Sequence, residues 1–220
     1  MIAIINYDMG NLKSVSKALE KVGAKVVVTR DIKQIKKASK IVLPGVGAYT
    51  RCMENLTRYG LVDVIKEEIK SGKWFLGICL GLQLLFEESE EFGPTKGLGL
   101  LKGSVKRFPV GAPLAAPLGV PHIRAQQAAP LPKIPMIGWN QIKKTRADLK
   151  LFRDVPDETY FYFVHSYFVS PKDKDVVATT TDYEGSFCSS VQKDHVLACQ
   201  FHPEKSQKWG LKVLENFVGL

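Results

Sequence analysis

The chain has 220 residues, of which 45% are hydrophobic and 24% charged, enough apolar material for one compact domain spanning 1–220. No apolar run approaches the ~20 residues that cross a bilayer. Cys52, Cys79, Cys188 and Cys199 form no Cys-x-x-Cys pair, which disfavours a disulfide scaffold or zinc site and favours a reducing cytoplasmic setting. The net charge of +9 is scattered, with one modest cluster at Lys33, Lys36, Lys37 and Lys40 and no aromatic-interleaved basic stripe, so an acidic protein partner or a phosphorylated substrate on a partner is expected rather than nucleic acid.

The apolar start Met1-Ile2-Ala3-Ile4-Ile5 lacks a basic leader and a small-residue cleavage site, and is expected as a buried strand over 2–6, not a signal peptide. Residues 11–22 are expected as a helix with Leu12, Val15, Ala18, Leu19 and Val22 on one face, ended by Gly23. A valine-rich strand over 25–29, a short polar helix over 32–38 and a strand over 40–43 follow. Helix then runs from about residue 50 to 70 with a break near Gly60. Residues 74–78 are almost wholly apolar, as expected of a strand buried on both faces of a parallel sheet, and 80–88 are expected as a helix.

The second half reads as strands over 104–108, 138–143, 160–169, 176–181, 186–192 and 196–200, several of them antiparallel or mixed. A last helix capped by Ser206 carries Leu211, Leu214, Phe217 and Val218 on its apolar face. Residues 109–133 are Pro- and Ala-rich without helical or strand period, and are expected as a surface insertion or connection. The alternation of strand and helix predicts an α/β fold with a central, mostly parallel sheet flanked by helices and extra antiparallel strands in the second half.

The strongest chemical signal is Gly77-Ile78-Cys79-Leu80-Gly81 between a buried strand and a helix. Such a turn presents a nucleophile at the carboxyl end of the sheet, and the flanking glycines avoid collisions. The helix N-terminus favours a thiolate, and the Leu80 amide would face an oxyanion. A buried, inert Cys79 is the bland alternative. A thiolate needs a base. Among His122, His165, His195 and His202, the last stands in Gln200-Phe201-His202-Pro203-Glu204-Lys205-Ser206. On an extended segment Glu204 would point to the same side as His202 and orient it. Leu43-Pro44-Gly45-Val46-Gly47 ends the third strand with a glycine-rich turn that can aim backbone N–H groups at developing charge.

With these features the sequence resembles the class I (triad) glutamine amidotransferases over nearly its whole length apart from 109–133. Asn6-Tyr7-Asp8-Met9-Gly10-Asn11-Leu12, Gly138-Trp139-Asn140 and Tyr162-Phe163-Val164-His165-Ser166-Tyr167 narrow the resemblance to one branch. These are the glutaminase subunits that supply imidazole glycerol phosphate synthesis in histidine biosynthesis. The resemblance implies a flavodoxin-like α/β fold and no metal or organic cofactor. It implies that Cys79 forms a glutamyl thioester, that His202 moves the proton, and that Glu204 orients His202. Leu80, Val46 and Gly47 would form the oxyanion hole. Gly47, Gln83, Glu91, Ser166 and Tyr167 would bind L-glutamine.

The resemblance also implies a heterodimer with a (β/α)₈-barrel cyclase that receives the ammonia. Such a barrel needs ~200 or more residues and must be a separate chain, with Trp139, Asn140 and Lys205 at the boundary. One departure concerns that boundary: the family usually has Pro-His before its Gly-Trp-Asn block, whereas Pro135-Met136-Ile137 stands here, and a similar string, Val120-Pro121-His122-Ile123, precedes Arg124. Rival readings are an amidotransferase subunit of anthranilate or GMP synthesis, a cysteine hydrolase of similar fold, and a binding module in which Cys79 is only buried. The Gly-Trp-Asn and Phe-Val-His-Ser-Tyr blocks speak against the first of these, and His202-Pro203-Glu204 against the second.

Overall fold

A computed structural model of the chain describes residues 1–109, 134–183 and 185–220. Of the Pro/Ala stretch, all but Pro109 lies outside the described residues, as does His122. In chain order the first half contains β1 (Ile2–Ile5), α1 (Leu12–Lys21), β2 (Val26–Thr29), α2 (Ile32–Lys37), β3 (Lys40–Gly45), α3 (Tyr49–Arg58), α4 (Leu61–Lys70), β4 (Trp74–Cys79) and α5 (Leu80–Gln83). There follow β5 (Phe86–Ser89), β6 (Thr95–Lys96), β7 (Leu101–Arg107), β8 (Met136–Gln141), β9 (Lys143–Lys144), β10 (Tyr160–His165), β11 (Tyr167–Pro171), β12 (Val177–Asp182), β13 (Ser186–Lys193), β14 (Val196–Cys199) and α6 (Gln207–Val218).

The large sheet runs β2-β1-β3-β4-β14-β13-β11-β7-β5-β6, and its first five strands are mutually parallel. From β13 onward the pairing becomes mainly antiparallel, with β12 and β9 branching from β13. Alternation along the central strands supplies two cores. Ile41 and Leu43 point to the face covered by α2, α3 and α4, whereas Val42, Leu76 and Ile78 point to the face covered by α1 and α6. Burial on both faces is why β3 and β4 read as continuous apolar runs.

Several expectations are corrected. Asn11 is the N-cap of α1, its side chain accepting from Ser14 N at 3.3 Å, so the helix begins at Leu12. The helix expected over 80–88 is a single turn. Leu84, Leu85 and Phe86 are fully buried, and the chain turns at once into β5, which pairs in parallel with β7. An all-apolar run carries no period that separates helix from strand. The strand expected over 160–169 breaks at Ser166: β10 pairs with β8 in a separate two-stranded sheet, and β11 joins the large one. Ser206 occupies the N-cap position of α6, but its hydroxyl makes no capping bond and donates instead to His202 O at 2.7 Å.

Candidate active site

β4 delivers Cys79 to the carboxyl end of the parallel strands, and α5 begins at the next residue. Cys79 has φ +55° and ψ −109°, a conformation that costs a side-chain-bearing residue energy and that its surroundings must enforce. The enforcing contacts are close. A Cβ on Gly77 would lie 2.6 Å from Gly81 O, and one on Gly81 would lie 1.9 Å from Leu43 O. Only glycine lets β4, α5 and β3 meet at this elbow. With one turn of helix, α5 offers unpaired N–H groups but little macrodipole, so the expected electrostatic help from that helix is smaller than a full helix would give.

His202 follows β14, the strand beside β4, and its Nδ1–H donates to Glu204 Oε1 at 2.8 Å. The pairing arises differently from the extended-segment expectation: Pro203–Lys205 is a 3₁₀ turn, which folds Glu204 back onto the imidazole. Both side chains are almost completely buried. His202 Nε2 and Glu204 Oε2 are buried without a hydrogen-bond partner among the described residues. Burial pushes the imidazole down, but the Cys79 sulfur and the Glu204 carboxylate outweigh it and hold His202 up at about 10. A proton on His202 is therefore held more firmly than on a free imidazole, between the two groups that attract it.

The turn after β3 closes the other side. Val46 is 39% exposed, and Gly47 has φ +97°, which glycine tolerates. Tyr7, fully buried after β1, donates from its hydroxyl to Pro44 O at 2.8 Å. Asn55 Nδ2 donates to Tyr7 O at 2.9 Å and fixes that residue in turn. The Tyr7 hydroxyl also lies 3.6 Å from Cys52 Sγ.

Val46, Gly47, Cys79, Leu80, Gln83, Glu91, Ser166, Tyr167 and His202 all line one cavity of about 250 Å³. That volume is small for a ligand site and suits a metabolite of amino-acid size. Glu91 is anchored by Tyr49 N, the first amide of α3, which donates to Glu91 Oε2 at 2.6 Å. Gln83 Nε2 donates to Tyr167 O at 2.9 Å and to Gln200 Oε1 at 3.1 Å. The break between β10 and β11 brings Ser166 and Tyr167 to the cavity wall. Among the described residues no three His, Cys, Asp or Glu side chains converge as metal ligands.

Trp139, Asn140 and Lys205 lie apart from the cavity. β8 and β10 pair with Trp139 opposite Tyr162, and alternation sends Phe161, Phe163 and His165 inward while Ile137, Trp139 and Tyr160 stay exposed at 62%, 42% and 54%. Lys205 Nζ sits 5.7 Å from the centre of the Tyr162 ring, and Trp139 meets that ring edge-on at 6.1 Å. The same strand reaches the triad: His202 N donates to Tyr162 O at 2.9 Å, while Ser206 Oγ accepts from Tyr162 N at 3.0 Å.

Sequence reasoning missed four site residues. Pro135, Val164 and His165 also line the cavity, and Gln200 touches the nucleophile, its Nε2 3.6 Å from Cys79 Sγ. Gln200 left a signal: it is a polar residue ending the apolar run Val196-Leu197-Ala198-Cys199. Pro135 stands in the Pro135-Met136-Ile137 string before the Gly-Trp-Asn block, but in the sequence that string points only to the partner boundary.

The sequence model of the family "Glutamine amidotransferase class-I" matches residues 3–219. The chain is 49% identical over 217 residues to the imidazole glycerol phosphate synthase subunit HisH of Syntrophotalea carbinolica, covering 99% of this chain and 98% of that protein. It is 51% identical over 215 residues to the subunit of the same name from Aquifex aeolicus, covering 97% and 94%. Among solved structures, PurLQS from Thermotoga maritima superposes with a TM-score of 0.71 at 18% identity, covering 99% and 97% of the two chains. A putative GMP synthase subunit from Thermoplasma acidophilum gives 0.66 at 17% identity, covering 99% and 92%. At such identities these two speak to the fold alone.

Proposed function

Because the chain belongs to the class I glutamine amidotransferase family, we propose that Cys79, His202 and Glu204 carry its reaction. The chain is an enzyme, the glutaminase subunit of an imidazole glycerol phosphate synthase of histidine biosynthesis. The observation that best supports the triad is the buried Nδ1–Oε1 bond of His202 and Glu204 at 2.8 Å, with the other imidazole nitrogen left unpaired beside Cys79 in the cavity.

In our reading Cys79 Sγ attacks the side-chain amide carbon of glutamine. The Leu80 amide and an N–H of the Val46-Gly47 turn receive the oxyanion. His202 Nε2–H protonates the departing nitrogen, so ammonia leaves and a glutamyl thioester remains. His202 then accepts a proton from water, which attacks the thioester and releases glutamate. Glu204 keeps Nδ1 protonated and the ring oriented throughout.

Gln83 and Glu91 hold the amino-acid end of the substrate. Both Nε2 protons of Gln83 are occupied by Tyr167 O and Gln200 Oε1, which leaves Oε1 as the group it can offer a substrate in the cavity it lines. With Glu91 this makes an acceptor pair suited to an α-ammonium group. Gly47, Ser166 and Tyr167 complete the wall.

We assign the exposed face carrying Ile137, Trp139 and Tyr160, with Asn140 and Lys205 beside it, to a separate (β/α)₈-barrel cyclase that receives ammonia through a channel. Large aromatic and aliphatic side chains left in water on one short sheet favour a protein partner. The free state of all four cysteines suits a reducing compartment, and we place the reaction in the cytoplasm.

The test is glutamate release from glutamine by the purified chain, alone and with the cyclase carrying its nucleotide ligand, with Cys79→Ala as the blank. A low rate that rises with liganded cyclase and vanishes in the variant is expected. Release that ignores the cyclase removes the partner assignment, and release that survives Cys79→Ala removes the triad.

A further inference from the structure

We propose that Gln200 is a positioning residue of the glutaminase, its side-chain amide donating to the Cys79 sulfur and tying the nucleophile to Gln83 in the substrate site. The proposal rests on the glutaminase reading for its kinetic consequence, but not for the contact itself.

Gln200 follows β14, whose register sets Cys199 beside Ile78, so the next residue on each strand is Gln200 and Cys79. Its backbone is held by Gln200 N donating to Ser189 O at 2.8 Å on β13. The side chain is fully buried, and a buried amide is tolerated only where its bonds are made.

The direction of the chain of bonds is fixed by its far end. Tyr167 O can only accept, so the Gln83 atom 2.9 Å from it is the nitrogen. That nitrogen donates onward, so the Gln200 atom 3.1 Å away is the oxygen Oε1. The remaining end of Gln200, 3.6 Å from Cys79 Sγ, is then Nε2, a donor. A donor aimed at sulfur strengthens when the sulfur carries charge and has nothing to offer a thiol proton. Gln200 therefore favours the thiolate, and it aims the sulfur from the side of the β14 strand while His202 acts from beyond it.

The other titratable groups acting on Cys79 come from every element around it: Tyr7 after β1, Cys52 on α3, Cys199 on β14 and His202. Glu91 shares the cavity. None of them is bonded to the Gln200 amide, so replacing that amide leaves them in place.

Gln200→Met keeps the length and removes the donor. The experiment follows the rate of Cys79 alkylation by iodoacetamide against pH on the full chain, with the modified peptide identified by mass spectrometry. The midpoint is expected to move up by about one pH unit, since a lost bond to the charged form raises its pKa. The kcat for glutamate release is expected to fall about tenfold with KM changed less than about threefold, because a smaller thiolate fraction and a less well aimed sulfur slow attack on glutamine that is already bound.

An unmoved midpoint in a variant that melts like the parent overturns the proposal. A moved midpoint alongside a parent that releases no glutamate even with the liganded cyclase keeps the contact and overturns the function instead. Should Gln200→Met fail to fold, the parent protein still decides. One glutamine side-chain ¹⁵N resonance must titrate at the alkylation midpoint and stop doing so in Cys79→Ala. The absence of any such resonance overturns the proposal.

Discussion

Gly81 approaches Leu43 so closely that a Cβ on the glycine would stand 1.9 Å from the leucine carbonyl oxygen. The carbonyl is backbone and a Cβ is fixed directly to its Cα, so neither can swing aside, and the elbow that holds Cys79 exists only while residue 81 has no side chain. Gly81→Ala is expected to cost roughly 1–3 kcal/mol or more of stability by overpacking. It should also lower glutamate release about a hundredfold through displacement of Cys79. Thermal melting and turnover measure the two effects. Gly219→Ala, where the nearest atom is 3.5 Å away in ordinary contact, serves as the control and should change stability by less than ~0.5 kcal/mol. Equal behaviour of the two variants would falsify the account of the elbow.

Glu204 acts on the reaction through a bond to His202 buried from water. Glu204→Gln preserves size but removes the charge that helps hold the imidazole up at about 10. The variant should lose roughly 10²–10⁴-fold in kcat, in the manner of the third member of other nucleophile triads. A raised histidine pKa gives stability that is complete below the unfolded value near 6.5 and declines as pH rises toward 10. The parent should therefore lose melting temperature over that alkaline window more steeply than Glu204→Gln. A variant with parental kcat, or with a parallel alkaline decline, would remove the orienting role.

How much of this was readable beforehand depended on whether a signal was local. Gly77-Ile78-Cys79-Leu80-Gly81 encodes its own geometry, because two glycines bracketing a cysteine after an apolar strand leave few other structures. His202 and Glu204 were legible as a pair, although the 3₁₀ turn that joins them was not, since extended chain and tight turn share the same Pro. The end of α5 was hidden by Leu84-Leu85-Phe86, where every position is buried and periodicity vanishes. The separation of β10 from β11 was hidden for a related reason: Tyr160 to Val169 keeps strand character throughout, and only pairing partners far away in sequence, Met136–Gln141 and Leu101–Arg107, reveal the break at Ser166. Gln200 and Tyr7 act across strands, through contacts that no single segment announces.

Tyr7 illustrates such an action. Its hydroxyl donates to Pro44 O, the carbonyl just before the Gly45-Val46-Gly47 turn, and a Cβ on Gly45 would sit 2.6 Å from that hydroxyl. Tyr7→Phe keeps the ring but leaves Pro44 O without this donor, at a cost of about 1–3 kcal/mol for a buried unsatisfied acceptor. Because the turn supplies the proposed oxyanion donors, kcat should fall by about tenfold with a smaller change in KM. A purely structural role would instead lower the melting temperature and leave the kinetics of the folded fraction intact.

His165 makes the chain acid-sensitive by a separate route. Its ring lies among Phe108, Phe163 and Phe187 at 5.3, 5.7 and 5.4 Å, its Nδ1–H donates to Tyr167 O at 2.9 Å, and its Nε2 is buried without a partner among the described residues. Burial lowers its pKa to about 4, with the Tyr167 carbonyl opposing and the His202 charge assisting. Between about 4 and the ordinary value of 6.5 the unfolded chain binds a proton here that the folded chain refuses, so stability falls as pH drops through this window. The loss can reach roughly 3 kcal/mol at 1.36 kcal/mol per unit. His165→Phe removes the titration and suits the aromatic surroundings, and Tyr167 O keeps its bond from Gln83 Nε2 at 2.9 Å, so no acceptor is orphaned. Melting curves from pH 7 to 4.5 should therefore decline less in the variant than in the parent. Parallel declines would show that the acid sensitivity resides in another group.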